Sequence, residues 1–96
     1  MIIRFHTEAE KDFHEALTWY SRQRKGLDAE FVMCVDEAIH RITYNPNTYP
    51  VVHLHLRKII VRRFPYIIIY ESSETEIHVI AVFHSRRNPT LWKSRV

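Results

Sequence analysis

Ninety-six residues, 46% of them hydrophobic, with one glycine and a formal net charge of +3, are enough for a single domain (1–96) around one modest core. This composition excludes a disordered or low-complexity chain, and no apolar run approaches the roughly 20 residues that span a bilayer. One cysteine, Cys34, excludes an intramolecular disulfide and suits a reducing compartment. Met1-Ile2-Ile3 is too short for the apolar region of a signal peptide before charge begins at Arg4, so the expected address is the cytoplasm, away from membrane. The charge is uneven. Residues 1–48 hold six Lys/Arg against eight Asp/Glu, net −2, whereas residues 49–96 hold eight against three, net +5. A basic half beside an acidic half suggests a face for an anionic or acidic partner, with a merely solvated face as the alternative.

Met1-Ile2-Ile3-Arg4-Phe5 reads as an opening strand. Thr7 with Glu10 forms a capping-box pattern, and Ala9, Phe13, Ala16, Leu17 and Tyr20 follow at helical spacing. Glu8, Lys11, Asp12, Glu15 and Arg22 are assigned to the outer face of this helix, which is expected to end near Gly26 in a left-handed cap. A second helix over about 27–44 buries Leu27, Phe31, Cys34, Val35, Ala38, Ile39 and Ile42, and Asn45-Pro46 stops it. The short link makes the two helices an antiparallel hairpin. Cys34, on the apolar stripe with nothing cationic beside it in sequence, reads as a buried, inert thiol.

From Val51 the period shifts from 3.6 to 2, predicting strands at about 56–63, 66–72 and 76–84 joined by tight turns into an antiparallel meander. A short helix or ordered tail is expected over 89–95. Both faces of the meander are apolar. Ile77, Val79, Ala81 and Phe83 alternate with His78, Ile80, Val82 and His84 in the last strand. Helices can cover one face only. The other is either a partner surface or is covered by the N-terminal strand and the C-terminal tail.

Candidate functional groups collect at strand ends. Arg62 and Arg63 stand at the far end of the first meander strand, and His84, Arg86 and Arg87 stand where the last leaves the sheet. Hairpin geometry can bring both basic pairs to one rim, where guanidinium forks match phosphates and carboxylates. His84 is either a general base or a hydrogen-bonded structural residue. Trp92 stands among Lys93 and Arg95 and can stack on a base or pack the tail against the sheet, so it counts among the candidate contacts. Seven scattered histidines, including His53-x-His55, do not form a metal-ligand pattern, and no phosphate loop, nucleophilic triad or carboxylate pair appears. Neither metal nor cofactor is expected.

Phe5-x-x-Glu8-Ala9-Glu10-x-Asp12, Trp19-Tyr20, Gly26-Leu27 leading to Phe31, Asn45-Pro46 with Tyr49-Pro50, Arg57-Lys58, Arg62-Arg63-Phe64-Pro65-Tyr66 with Tyr70, Val79 to His84, and Arg86-Arg87-Asn88-Pro89-x-x-Trp92 occur in one order. That order and spacing resemble the RelE/ParE toxins of type II toxin–antitoxin systems, most of all the ParE-like, plasmid-stabilisation branch. The resemblance covers nearly the whole chain. It implies an α+β, β-α-α-β-β-β fold with a helical hairpin on a small antiparallel sheet, a cognate acidic antitoxin and a toxin–antitoxin hetero-oligomer. RelE-like members are ribosome-dependent mRNA endoribonucleases with basic side chains on the central strands. Here Lys58 matches one such position, Ile60 and Ile67 fall on two others, and no tyrosine follows His84. General acid–base cleavage of RNA would then rest on His84 with Arg62, Arg86 and Arg87 alone. The resemblance therefore implies inhibition of DNA gyrase, with growth arrest and no firmly assigned catalytic residue. Arg62, Arg63, His84, Arg86, Arg87 and Trp92 would be target contacts. The ribosome and mRNA are the alternative target.

Overall fold

The computed structural model describes residues 1–96. Strand β1 (Ile2–Phe5) leads into helices α1 (Thr7–Gln23) and α2 (Leu27–Tyr44). Strands β2 (Val51–His53), β3 (Leu56–Ile60), β4 (Tyr66–Ser72) and β5 (Glu76–His84) follow, and a four-residue helix, α3 (Thr90–Lys93), ends the chain. The sheet order is β1-β5-β4-β3-β2. β3 to β5 form the expected antiparallel meander, with β3 ending at Ile60 rather than 63; β2 adds an unexpected short antiparallel strand, and β1 joins parallel to β5, so the five-stranded sheet is mixed. The parallel pairing arises because the helical hairpin serves as the crossover between β1 and the rest.

Two local expectations change. The N-cap of α1 is His6, not Thr7: its extended backbone (φ −59°, ψ 144°) lets Nδ1 accept from the Glu8 amide at 3.0 Å. Thr7 is then the first helical residue, and the Thr7–Glu10 pair is out of capping register. The C-cap of α1 is Arg24, in extended backbone (φ −161°, ψ 139°), and Gly26, at φ +86° in the left-handed region that suits glycine, is instead the N-cap of α2.

The main core lies between the hairpin and one sheet face. Phe31 sits at its centre, with ring centroids 5.1 Å from Tyr20, 5.1 Å from Phe64 and 5.0 Å from Tyr66. The Phe64 and Tyr66 contacts are edge-on and the Tyr20 contact is tilted; such aromatic pairs add about 0.5–1.5 kcal/mol each beyond area burial. Cys34 is half-buried rather than enclosed. The loop over 45–50 is pinned to the sheet from below: the Tyr70 hydroxyl donates to Pro46 O (2.7 Å), and Arg57 Nη1 donates to Tyr49 O (2.7 Å). Burial pushes the Tyr70 phenol up to about 12.

The opposite face carries a second, smaller core of Leu56, Ile69, Ile80, Ala81, Phe83 and Trp92. The C-terminal tail covers it, while the N-terminal strand lies at the sheet edge instead. Strict alternation along β5 fails at one point. Ile69 pairs with Ala81 but Tyr70 pairs with Val79, so Ile80 is an extra residue. The bulge turns the strand's phase: Ile77, Val79 and Val82 enter the main core, and Ile80, Ala81 and Phe83 the second.

β1 ends where the bulge begins, which leaves polar backbone of β5 without a strand neighbour. Asp12 of α1 and Arg95 of the tail close this gap. Asp12 Oδ2 accepts from Val82 N at 3.1 Å, and Arg95 Nη1 donates to Ile80 O at 3.0 Å. The two side chains form a bidentate pair at 2.6 and 3.0 Å. Asp12 is therefore not on the outer face of α1; it is 8% exposed, and its neighbours Ala9 and Ala16 are its core-facing companions.

Candidate functional site

The two basic pairs meet at one end of the sheet. Tyr66 opens β4 directly opposite His84, which closes β5, and Ser85 N donates to Pro65 O at 2.8 Å. The β3–β4 turn is tight, with Val61 N bonded to Tyr66 O at 2.9 Å and Arg63 in the left-handed region at φ 70°. Phe64, 9% exposed, plugs the turn into the main core against Tyr20 and Phe31. A stiff turn on buried aromatics holds its flanking groups in place.

The four arginines divide into two kinds. Arg63 Nη2 meets Glu30 at 2.7 Å, and Arg62 Nη1 meets Glu37 at 3.2 Å. Both carboxylates come from α2. Glu30 also holds Arg24 at 2.8 Å, and Glu37 also holds Arg41 at 2.7 Å. The bond from Arg63, then that from Arg24, holds the Glu30 carboxyl below its usual range, while Glu30 raises Arg63. Arg62 and Arg63 thus fasten the turn to α2, and their charge is locally offset. Arg86 and Arg87 are exposed, and no carboxylate lies within ion-pair distance of either. They are the uncompensated cations of the rim.

His84 faces the helix side of the sheet, with its ring edge-on to Tyr66 at 5.3 Å. Its Nδ1 accepts from the Arg86 amide at 3.1 Å, so the neutral ring carries its proton on Nε2 and presents a donor outward. Burial pushes the neighbouring Tyr66 phenol up. Arg87 lies on the other side of β5, its guanidinium 4.5 Å above the Phe83 ring, and Arg95 approaches the same ring at 5.6 Å. Trp92 is displaced from the expected set of contacts. It is 3% exposed and fills the second core, because the tail folds back over an otherwise uncovered apolar face.

The sequence reading passes over three participants. Tyr66 and Phe83 are the aromatic supports of His84 and Arg87; Asp12 anchors the tail that carries Arg95. Asp12 carried a usable signal, since it stands three residues after Ala9 and four before Ala16, on the buried stripe.

Over residues 3–89 the chain matches the family described as ParE toxin of type II toxin-antitoxin system, parDE. The chain belongs to the ParE toxin family. Two curated relatives, each called Toxin ParE2, come from Mycobacterium tuberculosis strains CDC 1551 / Oshkosh and H37Rv. Each is 28% identical to this ParE-family chain over 95 residues, covering 98% of it and 90% of the relative. Among solved structures, a chain of the "Chromosomal ParDE TA system from P. aeruginosa" aligns with a TM-score of 0.73. At 16% identity, over 88% of this ParE-family chain and 95% of that one, it shows a shared fold. No helix of this ParE toxin is long and apolar enough to cross a membrane.

The ParE branch also accounts for what lies on the central strands. Ile60 and Ile67 pair directly across β3 and β4, and Lys58 pairs with Ile69. An apolar pair therefore occupies the positions where the RelE resemblance calls for two basic side chains.

Proposed function

We propose that this ParE toxin arrests growth by gripping DNA gyrase through Arg86 and Arg87, with His84 as an adjoining hydrogen-bond donor, and that a cognate acidic antitoxin neutralises it. The observation that carries this reading is the pair of exposed, uncompensated guanidinium groups beside a strand end that both cores hold rigid. Gripping needs preorganised charge and no proton transfer. The occupied Nδ1 of His84 supports a donor role over that of a general base, and the Ile60–Ile67 pair supplies nothing that could stabilise a cleaved phosphate. Arg62 and Arg63 act indirectly, by fixing the rim to α2. An acidic antitoxin would associate quickly and in a salt-dependent way with the unpaired cations.

The test is a supercoiling assay with purified gyrase. The wild-type toxin is expected to inhibit it, Arg86→Glu/Arg87→Glu to lose inhibition while keeping its thermal midpoint, and Arg62→Gln to retain most of it. Wild-type toxin without effect on gyrase would end this reading. New 5′ ends on translated mRNA after induction would replace it with ribosome-dependent cleavage.

A further inference from the structure

The tail covers the second sheet face only in part. Trp92 joins Leu56, Ile69, Ile80 and Ala81 in the second core, but the row nearest the β3–β4 turn stays open at one end. The register sets Ile60 opposite Ile67 and Ile67 opposite Phe83, so one apolar row crosses β3, β4 and β5 at about 5 Å spacing. Ile67 packs against the second core, and Ile60 stands four residues from Leu56 on the same side of β3, so the row faces the side that the tail covers. Its exposure is graded. Phe83 is 1% exposed with the Arg87 guanidinium 4.5 Å above its ring, Ile67 is half-buried, and Ile60 is 63% exposed.

A single exposed isoleucine is ordinary. This one is the open end of an apolar row with cationic surroundings. Lys58 lies two residues away on the same side of β3 and pairs across the strands with Ile69. Lys93 holds its ammonium 5.9 Å from the Trp92 ring. Neither lysine nor Arg87 has a carboxylate within ion-pair distance. Glu71, the carboxylate that β4 places on this side, is roughly 13 Å along the strand from Ile67, and His55 and His78 hold it. An apolar centre bordered by unpaired cations complements a protein surface of the same shape with carboxylates at its border. A nucleic acid would find no exposed aromatic ring here on which a base could stack, since Trp92 is 3% exposed. A second copy of the chain would set the three cations against their own kind.

We propose that Ile60 and Ile67 form the apolar centre of the target contact, and that they meet a patch of gyrase in which aliphatic side chains are bordered by Asp or Glu. This inference rests on the gyrase reading and extends it from the rim along the second sheet face, with Arg87, above Phe83, as the link between the two. Arg86 and Arg87 orient the encounter; burying the isoleucines adds affinity that salt does not screen.

The test pairs supercoiling inhibition with cross-saturation from gyrase to the isoleucine methyls of the full, deuterated chain. Saturation is expected at Ile60 and Ile67 and not at Ile2 or Ile39, which lie on β1 and α2. Ile60→Thr keeps a β-branched residue at an exposed position, so it should stay folded and inhibit about tenfold less well. Ile60→Lys should retain more inhibition than Ile60→Glu, because only the second sets a carboxylate against the partner's own. Wild-type toxin without effect on gyrase would end the gyrase reading and this inference together. With an active wild type, the inference alone is overturned by full inhibition from Ile60→Thr, by equal losses from the Lys and Glu variants, or by saturation confined to other methyls. Shifts of the Ile60 and Ile67 methyls with toxin concentration alone would assign the face to self-association and overturn it as well.

Discussion

Replacing Asp12 by alanine would separate charge from packing in the hold on the C-terminal tail. The Asp12 and Arg95 side chains are 7% and 11% exposed, and the pair makes bonds of 2.6 and 3.0 Å. Removing one member of a buried pair costs about 3–5 kcal/mol when the survivor stays buried. Here the survivor has an exit, because Ser94 and Val96 on either side of Arg95 are exposed and Trp92 is the main apolar anchor of this segment. Undocking the Trp92 ring forfeits about 2–3 kcal/mol of apolar burial. The freed backbone returns part of that in entropy, and water reaches the Val82 amide. The cheaper route wins, so the expected loss is about 2 kcal/mol, taken as release of the tail rather than loosening of the whole fold. Trp19, 58% exposed, would mask the signal, so the measurement belongs in a Trp19→Phe background. Asp12→Ala should shift the Trp92 emission to the red and speed amide exchange at Val82, while the main urea transition keeps its slope. Arg95→Met should be milder, since Asp12 keeps its bond to Val82 N, and the double variant should cost less than the sum of the two. An unshifted Trp92 emission with stability within about 0.5 kcal/mol of the parent would show that the pair behaves as a solvated one, and the reasoning would fail.

Three further outcomes can be checked with the same material. Leu54 holds φ 53° in the β2–β3 turn and is 68% exposed, so Leu54→Asn should raise the unfolding free energy by about 0.5–1 kcal/mol in urea melts; no change would mean that the turn relaxes freely. Burial pushes the Glu71 carboxyl up, but hydrogen bonds from His55 and His78 (the latter at 3.2 Å) outweigh it, and its folded pKa is lowered. Its contribution is therefore present above the unfolded carboxyl value and lost as pH falls through the lower folded value. The stability gap between wild type and Glu71→Gln should close across that acid window, and a gap constant with pH would refute the assignment. Phe83→Leu keeps the second core filled at a cost under about 1.5 kcal/mol, but removes the ring under Arg87. Gyrase inhibition should weaken while the thermal midpoint falls by no more than about 12 °C and the protein stays folded at the assay temperature, and full inhibition would show that Arg87 needs no support.

The sequence makes the helices legible through the 3.6-residue spacing of Ala9, Ala16, Tyr20 and Phe31, Val35, Ala38, Ile42, and all seven are buried. It makes the strands legible through length and β-branched content. It does not announce the bulge at Ile80, because a run of apolar residues on both faces carries no phase. With Ile80 uncounted, Val82 and Phe83 exchange faces in the reading, and the partner of each face is misjudged with them. Trp92 is opaque for a similar reason. Whether an aromatic among cations stacks outward or packs inward depends on an apolar surface elsewhere in the chain that needs a cover.

The charge asymmetry shows how far composition can carry a functional argument. Of the eight cations in residues 49–96, Arg62, Arg63 and Arg95 are met by Glu37, Glu30 and Asp12, all from the acidic half, and Arg57 is engaged by the Tyr49 carbonyl. The halves that look complementary in sequence are complementary to each other first, and this pairing fastens the sheet to the helices. What is left over is small and localised: Arg86 and Arg87 on the rim, Lys58 on β3, and Lys93 with its ammonium 5.9 Å from the Trp92 ring. A rim contact must therefore come from two residues, not from a general basic field. Raising ionic strength should then weaken target binding only modestly, whereas reversing those two charges should remove it. If inhibition instead faded steeply with salt and survived the double reversal, a diffuse field would be the operative feature, and the division between internally paired and free arginines would have no functional meaning.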